Sequence, residues 1–141
     1  MSVDGATKVS GSCLCGALSF ECDLPSLWAG HCHCSQCQRY HGAAFVTWVG
    51  FNKDNFHLTS EDASDVSWFK SSDQAERGFC SKCGSSVLFR SERWPEEMHV
   101  CLANIEGSID REPAGHVHTE SRVSWIQLKD DLPEQTGDNA E

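Results

Sequence analysis

The sequence predicts an all-β domain, and three observations carry the prediction. Its apolar residues fall in short runs. Those runs are bounded by Gly, Ser, Asp, Asn or Pro. No apolar stripe of helical period extends over the roughly eleven residues that a packed helix needs. At 141 residues the chain fits one domain, and a chain of this length hides roughly two-thirds of its unfolded surface. It needs no cross-link merely to fold.

Taken in order, Ala17–Cys22 alternates apolar and polar residues, the pattern of a half-buried strand. Ala43–Val49 is mostly apolar, β-branched and aromatic, as in a strand buried on both faces. Phe56–Thr59, Val66–Phe69, Ala75–Phe79, Ser86–Arg90 and Met98–Ala103 are further short runs, and His116–Glu120 and Trp125–Leu128 complete the set. Only Ser35–His41 and Ile105–Asp110 have room for a turn or two of helix. Residues 1–8 and 134–141 have almost nothing to bury and are expected to be disordered tails, leaving one domain over 9–133.

Twenty-one acidic residues against 11 Lys and Arg give a formal charge of −10. A nucleic-acid footprint wants a basic patch, so no nucleic-acid partner is expected. No apolar run approaches the ~20 residues of a membrane helix, so no membrane partner is expected either. The first ten residues lack the apolar segment of a secretory signal. The expected location is the cytoplasm, where thiols stay reduced. The oligomeric state is not legible.

The nine cysteines need their own explanation, since an odd number fits a closed disulfide framework poorly. They fall as Cys13-x-Cys15, Cys32-x-Cys34-x-x-Cys37 and Cys80-x-x-Cys83, with Cys22 and Cys101 alone in apolar strands as core residues. A tetrahedral zinc needs four soft donors about 2.3 Å away around one centre. A Cys-x-x-Cys turn supplies two, because the chain reverses between them. Gly84 after Cys83 and Gly16 after Cys15 tolerate the positive φ that a metal knuckle requires. Seven clustered cysteines divide into four, which close a structural site, and three, which leave a zinc with an open position. Sequence alone does not say which pairs combine. The most economical division places Cys13, Cys15, Cys80 and Cys83 on one metal and Cys32, Cys34 and Cys37 on another. A redox dithiol would need a βαβ setting, and none is visible.

His31 and His33 interleave with Cys32 and Cys34. Strand alternation sends them to the opposite face, in a structural or supporting role rather than as ligands. Gln36 and Arg39 are candidate donors to the thiolates.

At this point the residues resemble a known family. Gly11-Ser-Cys13-Leu-Cys15-Gly16-Ala17, His33-Cys34-Ser-Gln-Cys37-Gln-Arg39 with Gly42-Ala-Ala-Phe45, and Gly78-Phe-Cys80-Ser-Lys-Cys83-Gly84 are similar to the glutathione-dependent formaldehyde-activating enzymes, a family that includes the centromere protein V type. His116-Val-His118 and Ser121-Arg-Val-Ser-Trp125 resemble its C-terminal signature. The resemblance spans roughly Val9 to Pro133. It implies a β-tent of small antiparallel sheets, related to zinc ribbons. It implies a structural zinc on Cys13, Cys15, Cys80 and Cys83, and a second, catalytic-type zinc on Cys32, Cys34 and Cys37.

The implied activity is that of a carbon–sulfur lyase, run to join glutathione to formaldehyde as S-hydroxymethylglutathione, with the true substrate left open. This is thiol addition to a carbonyl. A zinc carrying three thiolates is a poor Lewis acid, so capture and positioning of the glutathione sulfur is favoured over carbonyl polarisation. Glutathione is anionic, and Arg39, Lys53, Lys70, Arg77, Arg90 and Arg93 are the cations available to it. Trp48, Trp68 and Trp94 are candidate pocket walls. The alternative is a non-catalytic zinc module for protein binding or metal handling, because cysteine-only zinc sites are more often structural. Chromatin binding is disfavoured by the charge.

Overall fold

The computed structural model describes residues 7–137, and these residues are β-rich, with one α-helix and no closed barrel among them. Parts of both predicted tails, residues 1–6 and 138–141, lie outside the described range. A small sheet holds β1 (Lys8–Ser12), β2 (Ser19–Asp23) and β5 (Phe56–Leu58), in the order β1-β2-β5 and antiparallel throughout. A seven-stranded sheet is built from β3 (Trp28–Cys32), β4 (Val46–Asn52), β6 (Val66–Lys70), β7 (Ala75–Cys80), β8 (Ser86–Ser91), β9 (Glu97–Cys101) and β10 (His116–Val117). Its order is β10-β3-β4-β9-β8-β7-β6, antiparallel except where β10 runs parallel to β3. None of the described helices is long and apolar enough to cross a membrane.

Strand alternation gives the large sheet two faces. Ala29, Val49, Phe51, Leu88 and Val100 join Leu18, Phe20 and Cys22 of the β2 region in the main core. Their chain neighbours Trp48, Phe89 and Cys101 turn the other way and pack with Cys32, Cys34 and Cys37 in a second cluster. The cross-strand register aligns this second face: Trp28, Gly50 and His99 lie in one row, and Gly30, Trp48 and Cys101 in the next.

The helix α1 (Ser35–His41) forms where it was expected. Cys34 is its N-cap, its sulfur accepting from the Cys37 N–H, and Gly42 closes it in the left-handed region at φ 62°. Ala43, the first residue of the predicted run, is tied to this helix end, its N–H donating to the Gln38 carbonyl at 3.1 Å, and β4 starts only at Val46.

Four expectations need correction. Trp125–Leu128 forms no strand, and Trp125 is 72% exposed. Ile105–Asp110 is not helical: Ile105 bridges Gly11, and Gly107 takes φ 76°. Met98–Ala103 and His116–Glu120 each end in a 3₁₀ turn, Leu102–Asn104 and Thr119–Ser121. Two strands lay outside the predicted set, β1 and β3. Past Pro133, the Gln135 N–H donates to the His116 carbonyl at 2.8 Å.

Candidate metal centres and the cleft beside them

The outer clusters converge. Cys13 and Cys15 follow β1, Cys80 ends β7, and the four sulfurs of Cys13, Cys15, Cys80 and Cys83 lie within 4.8 Å of one another. Cys13–Cys15 and Cys15–Cys80 are each 3.7 Å apart. A tetrahedron with metal–sulfur bonds near 2.3 Å has edges of about 3.8 Å, so the spacing fits a zinc ion. It does not fit disulfides, and none of the nine cysteines is disulfide-bonded.

Both knuckles have the backbone such a site needs. Gly16 and Gly84 adopt φ 87° and 81°. The Lys82 and Cys83 N–H groups donate to Cys80 Sγ at 3.3 and 3.4 Å, and the Leu18 N–H to Cys13 Sγ at 3.3 Å. Ser85 ties the knuckles together, its Oγ 3.1 Å from Cys83 Sγ and accepting the Leu14 N–H at 3.2 Å.

The electrostatics point the same way. Hydrogen bonds from Ser85 bring Cys83 down to about 5. The Ala17 N–H also favours the Cys15 thiolate, yet desolvation and the neighbouring thiols outweigh it and push Cys15 up to about 11. Sulfurs this close cannot all ionise without a cation between them.

The middle cluster is the more buried of the two. Cys32 ends β3, Cys34 caps α1 and Cys37 lies in its first turn, so two elements bring the three sulfurs within 4.8 Å. Cys32 and Cys37 Sγ are 3.5 Å apart. The donors that serve it are not the Gln36 and Arg39 that proximity in sequence suggested. Trp48 Nε1–H donates to Cys37 Sγ at 3.5 Å, and Arg77 reaches the same sulfur with Nη1 at 3.8 Å and Nη2 at 3.9 Å. Arg77 is wholly buried and lies over the Phe89 ring at 5.0 Å. No spacing in the sequence links residue 77 to residue 37; only the β7–β8–β9–β4 order of the sheet does.

His33 is also buried, and its Nε2 lies 2.8 Å from His116 Nδ1, whose Nε2 in turn meets Asp130 at 3.0 Å. Cys22 and Cys101 sit in the core as expected. Burial pushes the Cys22 thiol up to about 12 and raises the Cys101 thiol as well.

A cleft of about 880 Å³ opens beside the middle cluster. Cys32 is the member of the trio on its wall, with Trp28, Trp48, Phe89, Trp94, Glu97, His99 and His116 among the other lining residues. Trp68 lies elsewhere, under Arg90 at 3.7 Å. None of the six candidate cations is on this wall. Lys53, Lys70 and Arg90 instead line a separate depression of about 440 Å³ that also holds Asp73, Glu76 and Glu92. Residues 1–6 and 138–141 contain no lysine or arginine that could supply one.

Fold and site together define a β-protein with two all-cysteine clusters, each able to hold a metal ion. The chain belongs to the glutathione-dependent formaldehyde-activating enzyme family, whose sequence pattern matches residues 8–121. A Halomonas elongata protein named "Putative glutathione-dependent formaldehyde-activating enzyme" is 27% identical over 128 residues, 86% of this chain and 81% of that protein. An uncharacterized lyase of Schizosaccharomyces pombe is 30% identical over 82 residues, 58% of this chain and 57% of that protein. The crystal structure of a Rhodobacter sphaeroides protein superposes with a TM-score of 0.59 at 28% identity, over 72% of this chain and 92% of that one.

Proposed function

We propose that this chain is a zinc-dependent enzyme of the carbon–sulfur lyase type that joins a small thiol, glutathione in the first instance, to formaldehyde or a related aldehyde. The observation that carries the reading is the middle cluster: three buried sulfurs grouped for a metal, one of them on the wall of a substrate-sized cleft. Cys13, Cys15, Cys80 and Cys83 would hold a structural zinc. Cys32, Cys34 and Cys37 would hold a second one with a position left for the substrate sulfur. When bound there, zinc supplies a soft cation that favours thiolate over thiol near neutral pH.

The chain's own groups do the rest. Arg77 and the Trp48 N–H temper the charge on Cys37. The aromatic walls of the cleft would hold the thiol beside the aldehyde, and such proximity lowers a bimolecular barrier by several kcal/mol. A cytoplasmic location, where glutathione and reduced thiols prevail, suits this chemistry.

The test is exchange NMR of glutathione and formaldehyde with the zinc-loaded protein, run in parallel with an uncharged thiol such as 2-mercaptoethanol. Adduct exchange faster than in buffer supports the reading. Exchange at the buffer rate with both thiols contradicts it.

A further inference from the structure

Thiol addition to an aldehyde needs a group that accepts the thiol proton and returns it to the new hydroxyl. The cysteine clusters do not provide one. The strand β9 does. Glu97 and His99 are two residues apart on it, so both side chains stand on the face of the sheet that carries the cleft.

Glu97 Oε1 accepts from His99 Nε2 at 2.8 Å and from Trp28 Nε1 at 3.0 Å. The imidazole is held between rings: Trp28 meets it edge-on at 4.7 Å, and Phe89 and Trp94 lie 5.6 Å away. Gly50, in the same cross-strand row, makes room for this, because a Cβ there would overlap the Trp28 indole nitrogen.

A carboxylate at Nε2 fixes the proton on that nitrogen and leaves Nδ1 as a lone pair. The hydrogen bond that holds the ring runs through Nε2, and the imidazole itself stands on the wall of the cleft. The other wall histidines differ. His116 has Asp130 on one nitrogen and His33 on the other. His118 Nδ1 is 3.7 Å from Glu120, too far for a hydrogen bond to set its tautomer.

We propose that His99, oriented by Glu97 and by the Trp28 indole, is the proton acceptor of the cleft and acts on the thiol of a bound substrate. In the step, the S–H bond breaks and its proton passes to Nδ1. The sulfur electron pair forms the S–C bond to the aldehyde carbon. The C=O π pair moves to oxygen, which then takes the proton back from Nδ1. Nothing is oxidised or reduced, and no third reactant enters. This inference rests on the thiol–aldehyde reading above and supplies the base which that reading lacks.

The experiment pairs kinetics with a readout that does not depend on turnover. His99→Phe keeps an aromatic ring between Trp28, Phe89 and Trp94. It should lower the exchange rate on the order of a hundredfold, with zinc content and melting temperature near wild type. Glu97→Gln should lower it less. In the wild-type protein, ¹⁵N shifts of His99 should show a protonated Nε2 and a bare Nδ1, and the Nδ1 signal should move when glutathione is added. A His99→Phe variant at the wild-type rate overturns the assignment, and so does a protonated Nδ1 in the neutral ring. If the wild-type rate equals that of buffer, the thiol–aldehyde reading falls by itself. The ring nitrogen then decides alone: an Nδ1 that responds to glutathione keeps the base in place, and one that does not removes it.

Discussion

Arg77 donates to the sulfur of Cys37 from 3.8 Å, with both side chains at zero solvent exposure. A guanidinium is a costly group to bury, and a nearby thiolate is a counter-charge that makes the burial tolerable. Arg77→Met keeps most of the volume and removes the charge. It should raise the thiol pKa of the middle cluster and weaken its zinc affinity by about 10–100-fold, the usual effect of losing a partner that supports a ligand. Chelator competition on each variant measures this, with the outer cluster as internal control. Equal zinc affinity at both sites in wild type and variant would contradict the account.

Cys80→Ala and Cys37→Ala should behave differently. The outer cluster ties β1 to the β7–β8 turn, so losing its zinc should destabilise the domain by several kcal/mol, since structural zinc supplies folding energy outright. Cys37→Ala should retain one zinc per chain and a higher melting temperature than Cys80→Ala. Equal losses of melting temperature would argue against a division of labour between the clusters.

Gly50→Ala tests the packing under the cleft. The added methyl overlaps the Trp28 indole, which must swing off Glu97. The cost should be about 1–3 kcal/mol, as for other overpacked sites, with a shift in tryptophan fluorescence. Denaturant titration followed by emission reads both.

His41 closes α1, where a helix C-terminus would ordinarily favour its charged form. Burial wins instead and pushes its imidazole down to about 4, with Arg77 adding to the effect and Cys34 opposing it. Between the unfolded value near 6.5 and about 4, the unfolded chain binds a proton that the folded chain does not. Stability therefore falls as pH drops through this window. After discounting for solvent screening, His41 should account for roughly 1–2 kcal/mol of that fall. Urea melts of wild type and His41→Asn at pH 7 and pH 5 isolate the term, since acid loss of metal is common to both. Parallel losses would contradict it.

The parts of the fold written in local chemistry were legible in the sequence. The short helix over Ser35–His41 was read in place, and Gly16 and Gly84 mark the two knuckles. What was not legible depends on pairing. β1 has Val9 as its one large apolar residue and becomes a strand because β2 lies beside it. β3 reads Trp-Ala-Gly-His-Cys, with no alternation, since it is held between β4 and the parallel β10. Trp125–Leu128 has strand-like composition but pairs with no strand among the described residues. The same limit hid Arg77 and the Glu97–His99 pair. The Glu-x-His spacing was visible, but its meaning came only once Trp28 and Cys32 were found on the same wall.

A zinc-edge anomalous map of crystals grown with and without glutathione tests the central claim most directly. The account predicts two peaks per chain, one among Cys13, Cys15, Cys80 and Cys83 and one among Cys32, Cys34 and Cys37, with a glutathione sulfur joining the second. A single peak at the outer cluster, or a second peak closed by a fourth protein ligand, would contradict it.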